Sequence, residues 1–177
     1  ETIDFLNAVY EAGEFVNVVT AAQENDGKYS PASAGKAVRL EVALDALQEG
    51  KTVADIWGPC NTEAGVWVRI NPMDGKGGAD ANVTAFRHVL VESDTIALTD
   101  QLAIIKRLKL PCSAIVHSGN KSIHAIVRVG ASNRAEYDER RDFVFDLCNA
   151  EGLEIDKACK NPSRMTRLPG IQRGGAA

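Results

Sequence analysis

Two runs, Phe86–Asp94 (FRHVLVESD) and His117–Val129 (HSGNKSIHAIVRV), decide how this chain is read. Both have the apolar content of strands, and strand side chains alternate between faces. Glu92 and Asp94 therefore point to one side, while Val89, Val91 and Ser93 point to the other. By the same count Ser122, His124 and Arg128 share a face. Val89-Leu90-Val91 is apolar on both faces and predicts a central strand. Carboxylates beside such a run are costly to bury unless a cation compensates them. Two acids near a hydroxyl, an imidazole and a guanidinium predict a site that holds divalent metal and phosphate together.

Outward from these runs the elements fall in a recognisable order. Ser118-Gly119-Asn120 supplies turn chemistry, so Cys112–His117 and Ser122–Val129 form an antiparallel hairpin. Between the acidic strand and the hairpin, Thr99 or Asp100 caps a helix running to about Lys109, with Leu102, Ile105 and Leu108 inward and Pro111 beyond its end. Asn133 and Glu136 open a longer helix that ends at Gly152. Leu153–Asp156 is a short strand delivering a third acid. Asn161-Pro162 resembles an N-cap and first helical position, which would put Arg164 and Arg167 on one side of a helical turn. Strand, helix, hairpin, helix, strand is a split sheet covered by helices on one face. The expected fold class is α+β: an RRM-like core of mixed or antiparallel sheet at residues 66–175.

Residues 1–60 form a smaller N-terminal α/β half of the same single domain, 1–177. Thr2–Ala12 reads as a helix, Phe15–Val19 as a strand, Gln23–Gly35 as a loop and Lys36–Gln48 as a helix ended by Gly50. Val66–Ile70 is a further strand. It leads into Asn71–Asn82 (NPMDGKGGADAN), which lacks the residue order of a P-loop or a dinucleotide turn and reads as a mobile surface loop.

The 177 residues suit one domain, and no apolar run approaches the length of a membrane span. No secretory leader is visible, the first residue is Glu1, and Gly174-Gly175-Ala176-Ala177 resembles a trimmed linker, so an excised fragment of a cytoplasmic protein is expected. Four dispersed cysteines without a C-x-x-C pair argue against a zinc module or a disulfide scaffold. The net charge of −4 is unevenly spread: residues 1–100 carry 7 basic and 16 acidic side chains, and residues 101–177 carry 13 and 8. From Lys157 onward five basic residues meet no acid, which favours phosphate contact there.

Glu92, Asp94 and Asp156 are the candidate catalytic and metal-ligating acids. Ser118, Gly119, Lys121, Ser122 and His124 offer amides, hydroxyls, ammonium and imidazole, all donors suited to a triphosphate. Arg164 and Arg167 add guanidinium groups for phosphate. His117 reads as structural, and Trp57, Trp67 and Tyr137 as core residues.

V-E-S-D, then S-G-N-K-S-I-H-A, then E-I-D followed by N-P-S-R-M-T-R-L-P-G resemble, in order and spacing, the three motifs of the archaeo-eukaryotic primase superfamily. More narrowly they look like the primase-polymerase domains of phages and other mobile elements. The resemblance covers about residues 66–175. It implies that Glu92, Asp94 and Asp156 bind Mg²⁺ or Mn²⁺, and that Ser122 and His124, with Ser118, Gly119, Lys121, Arg164 and Arg167, hold the incoming NTP or dNTP. Lys160 and Arg173 would meet DNA. The implied activity is template-directed nucleotidyl transfer by two metal ions, as a DNA primase, a polymerase or both, acting on a single-stranded template and primer; a fused or partner helicase is implied by the same resemblance. Glu92 departs from the aspartate usual in the first motif, lengthening the side chain by one methylene. Two other readings of the residues stay open: a non-catalytic single-strand or origin-binding module, and a metal-dependent nuclease using the same carboxylates.

Overall fold

The apolar alternation of the first half builds one antiparallel sheet. In the computed structural model, which describes residues 1–174, helix α1 (Thr2–Val9) precedes strand β1 (Phe15–Val19), whose Val16, Val18 and Val19 are fully buried. Strands β4 (Lys36–Arg39) and β5 (Trp67–Arg69) flank β1, and β9 (Met165–Arg167) closes the order β4-β1-β5-β9. Helices α2 (Leu40–Gln48) and α3 (Val53–Trp57) follow β4. The second sheet joins β6 (Phe86–Val91), β7 (Cys112–His117) and β8 (Ile123–Ala131) in the order β6-β8-β7. Helices α4 (Leu98–Leu108) and α5 (Arg134–Ala150) both pack on β8. One continuous hydrophobic core contains Val68 and Ile70 from one sheet's side and Val89–Val91 and Ala125–Val127 from the other. Among the described residues no helix is long and apolar enough to cross a membrane. Gly175 to Ala177, part of the segment read as a linker, lie outside the described residues.

The α+β class and the succession of strand, helix, hairpin and helix from Phe86 to Ala150 stand as expected, while several local readings are corrected. Gln23–Gly35 is not all loop: β2 (Ala22–Asn25) and β3 (Lys28–Pro31) pair as a hairpin across Asp26-Gly27, both at positive φ. Asp-Gly is the pair that such a tight turn requires, but the mostly polar flanks offer no apolar alternation to mark the strands. Lys36–Arg39 is strand rather than the first turn of a helix, because Ala37 and Val38 pair with Asn17 and Val16 and tertiary pairing overrides local period. Leu153–Asp156 is extended but not a ladder strand; it holds to the end of β6 through Asp156 N–H to Glu92 C=O, 2.9 Å. The expected helical turn around Arg164 and Arg167 is instead the run into β9, since the open edge of β5 takes Met165–Arg167 as its partner.

Strand β6 is terminal in its sheet rather than central, and its outer edge is closed by side chains. Asn71, fully buried, accepts from Arg87 N–H (3.0 Å) and His88 N–H (2.8 Å) and donates to the carbonyls of His88 (2.8 Å) and Pro162 (3.0 Å). All four hydrogen-bonding positions of the amide are thereby used. The Asn71–Asn82 loop is correspondingly pinned: Asp80 accepts from Ser163 Oγ at 2.6 Å, and a Cβ at Gly78 would sit 2.3 Å from the Arg69 guanidinium. Its glycines permit close packing on Arg69. Arg87, on β6, makes a two-pronged contact with Glu14 at 3.0 and 2.6 Å, tying the second sheet to the N-terminal segment.

His88 is buried between the Ile70 carbonyl (3.1 Å) and Ser113 Oγ (2.8 Å). Burial lowers its pKa to about 4, with the Ile70 carbonyl opposing and Arg87 reinforcing the shift. The unfolded chain then binds a proton that the folded chain refuses, so stability is full above about pH 6.5 and falls as pH drops toward 4. The expected loss is ~3 kcal/mol across that window. Urea midpoints measured from pH 7 to 4 should fall steeply in the wild type and more gently in His88→Gln; equal slopes would show that His88 is not held neutral.

Candidate active site

The register of β6 on β8 places the first two site residues. Leu90 pairs with Ile126 and Val91 with Ala125, so one step further Glu92 faces His124. Glu92 Oε1 lies 3.1 Å from His124 Nε2 and accepts from Ser122 Oγ at 3.2 Å. Ser122 Oγ is also 3.1 Å from Ser118 Oγ, so both ends of the turn between β7 and β8 converge on the carboxylate. Burial alone raises the Glu92 carboxyl, but the hydrogen bond and charge of His124, then Arg164 and the Cys159 thiol, bring its pKa down to about 2. Glu92 is therefore a largely buried carboxylate, 13% exposed, kept ionised by its neighbours.

Asp156 arrives from the extended segment after α5. Its Oδ1 accepts from Ala158 N–H at 2.9 Å, and its Oδ2 lies 3.6 Å from Arg164 Nη2. A carboxylate oxygen of Glu92, one of Asp156 and the Cys159 sulfur all lie within 4.8 Å of one another. Burial, followed by the charge of Glu92, pushes the Cys159 thiol upward, consistent with its donating to Glu92 Oε2 at 3.6 Å. Asp94 sits apart from this group. Because β6 ends at Val91, Asp94 lies beyond the ladder at a half-exposed position, 3.3 Å from Lys121 Nζ.

A pocket of about 260 Å³ opens beside these groups; Glu92 and Asp94 line it, and Asp156 and Cys159 do not. Glu92 and Asp94 form an acidic wall, Ser118, Lys121, Ser122 and His124 a donor wall, and Arg164, Arg167 and Arg173 a basic one. Arg167 stacks on Trp67 at 4.0 Å and donates to Ala64 C=O at 2.6 Å; Arg173 donates to Ser118 C=O at 3.0 Å. Among the described residues neither Arg167 nor Arg173 has a carboxylate partner within salt-bridge distance. Burial first and Arg173 second lower the Arg167 pKa to about 10, the mark of positive charge left uncompensated.

Not every expected residue reaches the pocket. Gly119 lines a separate groove of about 610 Å³ along β7, which shares Ser118, Arg167 and Arg173 with the site. Lys160 is exposed, and its carbonyl takes the Arg141 guanidinium. Arg128, although in phase with His124, lies farther along β8 and pairs with Glu11 at 3.4 Å. Trp67, read as a core residue, is buried yet also forms part of the pocket wall.

Three supporting residues escaped the reading of the sequence. Thr166 of β9, fully buried, places Oγ1 2.9 Å from His124 Nδ1. Cys159 contacts Glu92. Gln101 is buried on α4, where it donates to the carbonyls of Ile96 (2.7 Å) and Lys121 (3.0 Å) and accepts from Ile123 N–H (2.8 Å). A glutamine one helical turn before Ile105, on an apolar stripe, was the available signal for Gln101. For Thr166 there was none, because its partner is 42 residues away.

The oxygen donors of Glu92 and Asp156, with Asp94 on the same pocket, fit a hard divalent cation such as Mg²⁺ or Mn²⁺. No family model matches the chain. Among solved structures, it is similar to the AEP domain of the cyanophage S-2L primase-polymerase (PrimPol), with a TM-score of 0.55 and 20% identity over 97% of this chain and 81% of that chain. The two chains thus share a fold.

Gln101→Leu preserves bulk while stranding the Ile123 amide and the carbonyls of Lys121 and Ile96. It should cost about 3 kcal/mol of stability. Urea unfolding measures this directly, and a loss below about 0.5 kcal/mol would show that water or rearrangement replaces these bonds.

Proposed function

We propose that this pocket carries out template-directed nucleotidyl transfer, as a DNA primase, a DNA polymerase or both. The observation that carries the reading is the pairing, in one pocket, of an acidic wall with two arginines, Arg167 and Arg173, that have no acidic partner among the described residues. Acids alone repel phosphate, and arginines alone bind any anion. Together they suit a metal-bound polyphosphate.

Glu92, Asp94 and Asp156 would hold Mg²⁺ or Mn²⁺. Bound there, the metal would lower the pKa of an attacking 3′-hydroxyl and neutralise the charge of the leaving pyrophosphate. The protein's own part is positioning. Ser122 and His124 direct an O–H and an N–H into the pocket beside Glu92, and Lys121 and Arg167 supply charge for the phosphate oxygens. Arg164, 3.6 Å from Asp156, balances the acids from behind. Arg173 lies where the nucleotide pocket meets the groove along β7, a suitable place for the DNA backbone, and exposed Lys160 can extend that contact.

The direct test incubates the protein with labelled NTPs or dNTPs, Mg²⁺ or Mn²⁺, and primed or unprimed single-stranded DNA. Lengthened products support the proposal. Shortened products would identify a nuclease, and retention of the strand without reaction would identify a binding module. Asp94→Ala should abolish synthesis while leaving the circular dichroism spectrum intact; near wild-type extension would remove Asp94 from the metal site. His124→Ala should raise the nucleotide KM on the order of 10-fold through the lost phosphate contact. The logarithm of template affinity should fall linearly with the logarithm of salt concentration, and less steeply in Arg173→Ala.

A further inference from the structure

We infer that Thr166 is a positioning residue whose hydroxyl holds the His124 ring so that the proton on Nε2 is aimed at Glu92 and the pocket. The inference rests on the reading of His124 as a phosphate donor only for its functional consequence; the proton placement follows from the contacts alone.

The His124 ring has partners on both sides, and its Nε2 also lies 3.3 Å from Ser122 Oγ, whose own hydrogen has the nearer acceptors Ser118 Oγ (3.1 Å) and Glu92 Oε1 (3.2 Å). On one side, Nε2 is 3.1 Å from the Glu92 carboxylate, which, when ionised, can only accept. Nε2 must therefore carry a hydrogen. On the other side, Nδ1 is 2.9 Å from Thr166 Oγ1, a hydroxyl that can donate or accept. When the ring is neutral the hydroxyl donates to Nδ1; when the ring is charged the hydroxyl rotates and accepts. Either way the Nε2 proton stays in place. Thr166 is fully exposed to neither water nor ligand: it is buried on β9, and His124 is the sole side-chain partner of its hydroxyl among the described residues.

His88 shows the opposite arrangement within the same fold. Its Nδ1 faces the Ile70 carbonyl at 3.1 Å, an obligatory acceptor, and its Nε2 faces Ser113 Oγ at 2.8 Å. A neutral His88 must therefore protonate Nδ1 and accept at Nε2. Two histidines on adjacent strands are thus driven to opposite tautomers by the order in which a hydroxyl and an acceptor flank the ring. A Thr166 replacement without a hydroxyl leaves neutral Nδ1 unpaired in a buried site, removing the preference that holds the ring in register with Glu92.

Nitrogen NMR of histidine-labelled protein at neutral pH tests this without any need for activity. His124, assigned by the loss of its signals in His124→Ala, should show a protonated Nε2 as either the neutral tautomer or the imidazolium, whereas His88 should show the Nδ1–H tautomer. Thr166→Val should shift the His124 Nδ1 resonance, whose partner is lost while the proton stays on Nε2, and raise the nucleotide KM on the order of 10-fold, with a smaller change in kcat. Thr166→Ser should restore both. A wild-type His124 protonated only on Nδ1 would overturn the inference, as would an unaltered His124 spectrum in Thr166→Val or a Ser variant impaired like the Val variant. If Thr166→Val does not fold, the wild-type and Thr166→Ser spectra remain decisive. Absence of nucleotide incorporation by the wild type would overturn the proposed transferase instead, with the tautomer result unaffected.

Discussion

The arrangement of the site depends on one buried negative charge. Glu92 stands at the end of β6 with 13% of its side chain exposed, and it stays ionised because three segments bring groups to it. Ser122 and His124 come from the start of β8, Cys159 from the turn after Asp156, and Arg164 from the approach to β9. Removing a carboxylate from water is expensive, so such a position persists only where hydrogen bonds and opposite charge replace hydration. The same demand draws together both sheets: His124 touches Glu92 on one side and Thr166 of the other sheet on its far side.

That convergence requires an unusual treatment of the β6 edge. A terminal strand ordinarily presents unpaired amides and carbonyls to solvent or to another strand. Here Asn71 occupies the edge near His88, and the Asp156 amide takes the Glu92 carbonyl at its end. Both contacts attach segments that bear on the site. Asn71 also holds the Pro162 carbonyl, two residues before Arg164, and Asp156 is itself a candidate ligand. The edge thus serves as an anchoring line for the third acid and the arginine turn.

Charge is distributed on the same plan. A net charge of −4 is unfavourable for binding phosphate, yet Arg167 and Arg173 stand in the pocket without acidic partners among the described residues, while many acids of the N-terminal half lie elsewhere. Local placement outweighs the total because screening confines each charge's influence to roughly 10 Å. Stacking on Trp67 orients Arg167 without neutralising it, and its bond to the Ala64 carbonyl holds it while leaving its positive charge available to an anion.

The strand carrying FRHVLV, the hairpin around Ser118–Asn120 and the helix begun by Asn133 were legible from the residues, as were the donors Ser122 and His124. Each depends on side-chain period or on turn and cap chemistry, which act over a few residues and leave a local trace. What lay beyond local trace was decided by the tertiary structure. It made Met165–Arg167 a strand because β5 needed a partner, and it set Asp94 against Lys121 because the ladder ended at Val91. It also brought Thr166 to the back of His124 and gave Glu92 its company of distant groups. Sequence alone could specify which residues had the chemistry for metal and phosphate. Only the packing of one sheet against the other could specify which of them share a buried site, because the cost of burying charge is met by neighbours far apart in the chain.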